Sequence, residues 1–270
     1  MQVYRHLEIG TAKPSPADRA RLPHHLVDVA EPSEQFNVGR FVTETEALVP
    51  SIRGRGRIPV VAGGTAFYIT SFLFGLPEAP AVRRETRERI RAIEHDQGHQ
   101  ALYHILEERD PDAAARIPRN DRYRIARALE VFEDTGRSLF SFRWPRAVRR
   151  DLSFLIIGLD RPRAEVYRRI DERVRRMFEA GLVAEAKTLL DMGFGPGDPG
   201  MRGIGYRELL GMRAGCETLG QVEAGIAAAT RRYAKRQLSF FRAVPGVSWM
   251  SPDESEALRR RIETFILEST

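Results

Sequence analysis

The segment Thr230-Arg231-Arg232-Tyr233-Ala234-Lys235-Arg236-Gln237-Leu238-Ser239-Phe240-Phe241-Arg242 interleaves cations with aromatic rings. On a helix, Arg231 and Lys235 fall on one line and Arg232 and Arg236 on the next, a cationic stripe suited to a phosphate backbone. Tyr233, Phe240 and Phe241 have faces on which bases could stack. A solvated basic face with phenylalanine packed beneath it explains the same pattern. A second group is Asn120-Asp121-Arg122-Tyr123-Arg124-Ile125-Ala126-Arg127-Ala128-Leu129-Glu130, where Arg124 and Arg127 lie three apart on one helical face. Ordinary helix charge patterning accounts for that equally well. Gly63-Gly64-Thr65 offers backbone N–H groups and a hydroxyl between an apolar run and a helix-like stretch, where α/β sheets bind ligands. The alternative is a tight turn that needs glycine for backbone reasons. His95 and His99 have the i, i+4 spacing of a metal pair, but Gly98 intervenes and no acidic or thiol ligand set accompanies them. His24-His25 is a loop doublet, so no metal site is expected.

These groups need a scaffold, and its grammar is readable. Residues 1–32 carry turn signals at Lys13-Pro14-Ser15-Pro16 and Glu31-Pro32-Ser33 and read as loops with short ordered pieces. A helix is expected over 33–53 with Ser33 as N-cap, from the spacing of Phe36, Val38, Phe41, Ala47 and Leu48. Ile58-Pro59-Val60-Val61-Ala62 reads as a short buried strand that ends in the glycine turn and feeds a helix to Phe74. Between about 82 and 150 the composition turns to charged helical segments with breaks near Gly98, Pro111, Pro118 and Gly136 and no convincing strand. A β-pattern returns at 153–159, followed by helices over about 162–179 and 182–192 and a Gly/Pro-rich loop over 193–205. A long helix over 219–242, a strand at 247–250 and a final helix over 253–268 complete the reading. The expectation is an α/β fold of parallel-sheet type with an α-helical insertion: core over 1–81, insertion over 82–152, core again over 153–270.

Composition narrows the partners. With 43 Lys+Arg against 37 Asp+Glu the net charge is +6 and the pI about 9.8, which favours a polyanion without requiring one. Cys216 is the only cysteine, so an intramolecular disulfide and a four-cysteine zinc site are excluded, and a reducing cytoplasm fits. No apolar run approaches the roughly 18 residues of a membrane span, and the start lacks the apolar core of a secretory signal.

In order, the segments MQVYRHLEIGTAKP, LPHHLVDVAEPSEQFNVGRF, IPVVAGGTAFYI, RIPRNDRYRIARALEVFEDTGRSL, GLDRPRAEVYRRIDERVRRMFEAGLVAEA, GIGYRELLG and TRRYAKRQLSFFR cover most of the chain. Together they resemble the tRNA dimethylallyltransferase family, also called tRNA isopentenyltransferases. The resemblance implies a P-loop-NTPase-like α/β core with a helical insertion that grips the anticodon arm. It also implies transfer of a dimethylallyl group from its diphosphate to N6 of the adenine 3′ of the anticodon, with Mg2+ accompanying the diphosphate. Its partners would be the tRNA anticodon arm and dimethylallyl diphosphate, its location the cytoplasm, and its state a monomer.

By the same resemblance Thr65 and Arg87 line the reaction channel as catalytic residues, with Gln2, Gly63 and Gly64 binding substrate. Tyr123, Arg124, Arg127, Arg231, Lys235, Arg236 and Gln237 would contact tRNA. Departures are Ala66 where glycine is usual, Tyr123 where glutamine is usual and Phe240 where tryptophan is usual. Family members place an Asp-Ser pair, whose aspartate is the proposed general base, before the Met-Gln-Val-Tyr equivalent, and a Gly-rich diphosphate loop earlier still. Here Met1 stands inside that motif and no G-x-x-x-x-G-K-[ST] occurs, so first strand, phosphate loop and base aspartate are absent from the chain as written. The expectation is a reading frame that opens upstream; a genuinely short form would bind tRNA weakly and catalyse nothing. The rivals are a non-catalytic tRNA-binding fragment or paralogue and a small-molecule kinase of the same core, for which no Walker lysine is present.

Overall fold

The computed structural model describes residues 1–143, 145, 147–212 and 218–268, so Cys216 lies outside the described residues. Eleven helices and two strands are named in chain order among them. They are α1 (Pro16–Arg21), α2 (Val38–Arg53), α3 (Ala66–Phe74), α4 (Arg84–Arg109), α5 (Pro111–Ala114), α6 (Arg122–Thr135), β1 (Ile157–Leu159), α7 (Arg163–Glu179), α8 (Leu182–Asp191), α9 (Tyr206–Leu210), α10 (Leu219–Arg242), β2 (Ser248–Met250) and α11 (Ser255–Glu268). They fall into two compact units, one of residues 1–72 and 150–270, the other Leu73–Arg149.

In the first unit β1 and β2 pair in parallel, Gly158 opposite Trp249. The main core gathers Leu7, Phe36, Leu182, Leu189, Tyr206 and Ile226, each buried, from loops and helices that are remote in sequence. A smaller cluster packs Val42, Val49 and Phe72 with Leu152 and Phe154. The start of the chain is more ordered than its turn-rich composition suggests: Tyr4 bridges Ala30, and the Lys13 side chain, 1% exposed, donates to the Tyr4 carbonyl, Glu8 and Asp28. A buried ammonium survives there because each of its hydrogens meets an oxygen.

Two expectations are corrected. Residues 58–62 form no strand: Ile58, Val60 and Val61 are exposed, Val60 at 83%. An extended run becomes a strand only through a ladder, and no ladder bond reaches these residues among the described ones. The helix expected from Ser33 begins at Val38, because Asn37, whose side chain accepts the Arg40 N–H, is the residue that caps it.

The second unit follows local signals closely. Gly98 takes φ 83° and ψ 170° and kinks α4, Pro111 opens α5, and Gly136 ends α6 in the left-handed conformation. Ile90, Leu102, Leu106, Ile125 and Leu129 form its interior. Adjacent carboxylates of α6 tie α4 down: Glu133 pairs with Arg89 and Arg109, and Asp134 accepts the Arg83 N–H at 2.7 Å and the Thr86 hydroxyl at 2.6 Å.

Candidate functional site

Helix α10 is positioned by its ends and its buried stripe. Thr218 and Gln221 form a reciprocal capping box at the start, and Pro245 follows the last turn. Val222, Ile226 and Ala229 at i, i+4 and i+7 face the core, which leaves Arg232, Lys235 and Arg236 on the exposed side. Among the described residues neither Arg232 nor Lys235 has an ion-pair partner, and the Arg236 guanidinium lies 5.9 Å from the Tyr233 ring centroid. Arg231 differs: it pairs with Asp171 of α7 and stands 5.9 Å over the Tyr167 ring, so its charge is already answered within the protein. Phe240, exposed, meets Phe241 edge to face at 6.4 Å.

The glycine turn is joined to this helix. Gln237 donates its Nε2–H to the Gly64 carbonyl at 2.6 Å, and the Tyr233 hydroxyl approaches the same oxygen at 3.5 Å. A Cβ on Gly64 would lie 2.1 Å from Gln237 Nε2, so the close approach itself requires glycine. Thr65, exposed, starts α3, its carbonyl accepting the N–H groups of Tyr68 and Ile69. The structure thus brings Gly64, Thr65, Tyr233 and Gln237 together. Gly63 is exposed beside them. The apolar run before the turn does not become the expected strand, yet the turn is held, by α10 instead.

Gln2 sits in the N-terminal loop, where its Nε2–H groups go to the carbonyls of Thr11 and Ala12 at 3.2 and 2.9 Å. In the second unit Arg87 is exposed on α4 without an ion-pair partner among the described residues, and Tyr123 is 73% exposed at the start of α6. Arg124 is exposed and within 3.4 Å of Asp121. Arg127 is half-buried, donating to the Pro80 carbonyl at 3.2 Å and facing Glu130 at 3.5 Å. His95 pairs with Asp96 and His99 with the Arg119 carbonyl, on opposite sides of the Gly98 kink. No three His, Cys, Asp or Glu side chains converge on a metal-sized space among the described residues.

A family model described as IPP transferase matches residues 2–244. The chain belongs to the IPP transferase family. Relatives within it include tRNA dimethylallyltransferase 2 of Syntrophus aciditrophicus, 40% identical over 98% of this chain and 86% of its own length. The tRNA dimethylallyltransferase of Geobacter sulfurreducens is 41% identical over 93% of this chain and 81% of its own. Among solved structures, the tRNA isopentenylpyrophosphate transferase of Bacillus halodurans superposes with a TM-score of 0.66 at 34% identity, covering all of this chain and 88% of that one. A eukaryotic dimethylallyltransferase acting on tRNA gives 0.76 at 26% identity, over 96% of this chain and 69% of that one.

Residue patterns alone missed two groups of this IPP transferase family member. Glu185 of α8 and Tyr206 of α9 meet at 2.5 Å and close on the backbone of residues 8–10. Both stand inside segments that resemble the family, but the partners are remote along the chain, and no spacing rule joins them.

Proposed function

We propose that this chain transfers a dimethylallyl group from dimethylallyl diphosphate to N6 of the adenine 3′ of a tRNA anticodon. The observation that carries the reading is the Gln237–Gly64 hydrogen bond, which ties the exposed cations of α10 to the turn that holds Thr65. In the reaction the N6 lone pair attacks the allylic C1, and the C1–O bond breaks with its electron pair leaving on the diphosphate. The proton on N6 passes to a base. N6 of a stacked adenine is poorly reachable in line with that bond, so the base is extruded from the loop before it reacts.

Arg232, Lys235 and Arg236 hold the RNA backbone, as Lys and Arg do by displacing condensed counterions. Tyr233 and Phe240 supply ring faces for bases. In this reading Thr65 and the N–H groups of the glycine turn are assigned to the reacting group and Gln2 to substrate, while Arg87 is assigned the positive charge that a departing diphosphate calls for as its own charge develops. The unit Leu73–Arg149 is the part that grips the anticodon arm, with Tyr123 and Arg124 as its contacts. Arg231 and Arg127 support those surfaces from within, through Asp171 and through the Pro80 carbonyl. The two-stranded parallel sheet belongs to a P-loop-like α/β core. Magnesium accompanies the diphosphate in this reading, and the described residues form no His, Cys, Asp or Glu cluster that would cage the ion. The reading places the protein in the cytoplasm; separately, no helix among the described residues is long and apolar enough to cross a membrane.

The test is incubation with labelled dimethylallyl diphosphate and unmodified tRNA. Label retained in the tRNA supports transfer; a gel shift without label returns the chain to a binding role.

A further inference from the structure

Residues 7–13 form a loop closed on itself by the Lys13 N–H to Glu8 carbonyl bond, with three successive amides turned to one side chain. Glu185 Oε2 accepts the N–H groups of Glu8 at 3.0 Å and Ile9 at 2.8 Å, and Oε1 accepts that of Gly10 at 3.2 Å. Three consecutive amides converge on one carboxylate, an arrangement that suits an anion held rigidly. The carboxylate is itself fixed. Tyr206, 1% exposed, donates its phenol hydrogen to Oε1 at 2.5 Å, and burial with that bond pushes the phenol well above its ordinary range, so it stays a donor. From the other side, α8 is anchored by Leu182, Ala186 and Leu189 in the core. Gly10 is where the two meet: a Cβ there would stand 2.6 Å from the Tyr206 ring, so no side chain fits while Tyr206 reaches Glu185.

The far end of the loop reaches the substrate-binding reading. The carbonyls of Thr11 and Ala12 accept both bonds from Gln2 Nε2, and the Thr11 hydroxyl returns to the Leu7 carbonyl at 2.6 Å. Ala12 and His6 hold φ of 46° and 65°, a region that costs non-glycine residues energy and persists only where surrounding bonds dictate it. Gln2 is half-exposed: its main-chain carbonyl accepts the Asp28 N–H at 3.2 Å, its Nε2 is committed to the loop, and its side-chain Oε1 has no hydrogen bond among the described residues. That oxygen is the part left to accept an N–H or O–H from a ligand.

We propose that Glu185, locked by Tyr206, is the positioning residue for Gln2: it holds the loop whose carbonyls aim the Gln2 amide at substrate. The inference rests on the prenyl-transfer reading for its kinetic half and on the loop geometry alone for the other. Its test uses Glu185→Gln, which turns one acceptor oxygen into a donor facing amides, Tyr206→Phe, which removes only the phenol bond, and Leu189→Ala, which opens a cavity under the same helix and leaves the Glu185 and Tyr206 side chains in place, a control for general loosening of α8. At a temperature where all are folded, exchange of the Gln2 side-chain amide hydrogens, followed by NMR, is expected to be about tenfold faster in Glu185→Gln than in Leu189→Ala, with Tyr206→Phe between them. On the same samples kcat for transfer is expected to fall about tenfold in Glu185→Gln with KM nearly unchanged, while Leu189→Ala keeps the kcat of its folded fraction. Equal exchange at Gln2 in the two variants would overturn the proposal whatever the activity. So would fast exchange with an unchanged kcat. If the unsubstituted chain transfers nothing, the transfer reading fails instead, and the exchange comparison, which needs no substrate, alone decides whether Glu185 holds Gln2.

Discussion

Gln237 and Gly64 stand 173 residues apart in sequence, yet 2.6 Å separates the donor nitrogen from the carbonyl it reaches. Each was legible as a member of a motif, the basic-aromatic run and the glycine turn, but nothing in either pattern said that they meet. The same limit hid Glu185, whose three amide donors lie more than 170 residues upstream. If this bond couples RNA docking on α10 to the turn, Gln237→Ala and Gly64→Ala act on one interaction. In Gly64→Ala the new methyl pushes the Gln237 amide away, since a flexible side chain yields before backbone does. Each variant is expected to lower kcat/KM for transfer about tenfold with little loss of stability, and the double variant to be no worse than the poorer single one. Steady-state kinetics on the three proteins check this. Multiplying losses would mean that the two residues act independently.

The helices were legible because helices announce themselves locally. Thr218 with Gln221, Gly136 and Pro111 mark boundaries within a few residues of their effect, and α10 runs over the expected 219–242. The strand reading of 58–62 failed because a strand is defined by its neighbour, and apolar composition alone supplies none. On α10, changing Arg232, Lys235 and Arg236 together to Ala is expected to weaken tRNA binding and lower the slope of log affinity against log salt by about three, one per lost phosphate contact. Arg231→Ala alone leaves the slope nearly unchanged, since Asp171 already answers that charge. Filter-binding titrations over a salt series distinguish the two.

The α4–α6 contact carries a pH dependence. The Thr86 hydroxyl, followed by the Arg83 N–H and guanidinium, holds the Asp134 carboxyl down from 3.8 to about 2. Because the folded value lies below the unfolded one, its stabilisation is complete above the ordinary value and is lost as pH falls through the folded one. Urea unfolding at a series of pH values is expected to show a shallower decline between about pH 4 and pH 2 in Asp134→Asn than in the parent chain. Packing within that unit is less forgiving: Leu106→Ala, at a fully buried position, is expected to cost about 2–5 kcal/mol in the same assay.

For the whole molecule, the family resemblance was plain in ordered segments spread along most of the chain, and relatives about 40% identical over nearly all of it agree with that reading. Fold class was legible only in outline. The alternation of helices with apolar runs pointed to an α/β protein, but the sheet seen among the described residues is the short β1–β2 pair, whose ladder depends on partners more than 80 residues apart. The proposed function requires, at this scale, a surface that holds tRNA and a turn that meets the reacting base, working on one RNA. The most direct measurement is nucleoside analysis of unmodified tRNA after incubation with the chain and dimethylallyl diphosphate. The account predicts N6-dimethylallyladenosine at the position 3′ of the anticodon and at no other adenosine. Unmodified adenosine there, in tRNA that the folded protein demonstrably binds, would contradict it.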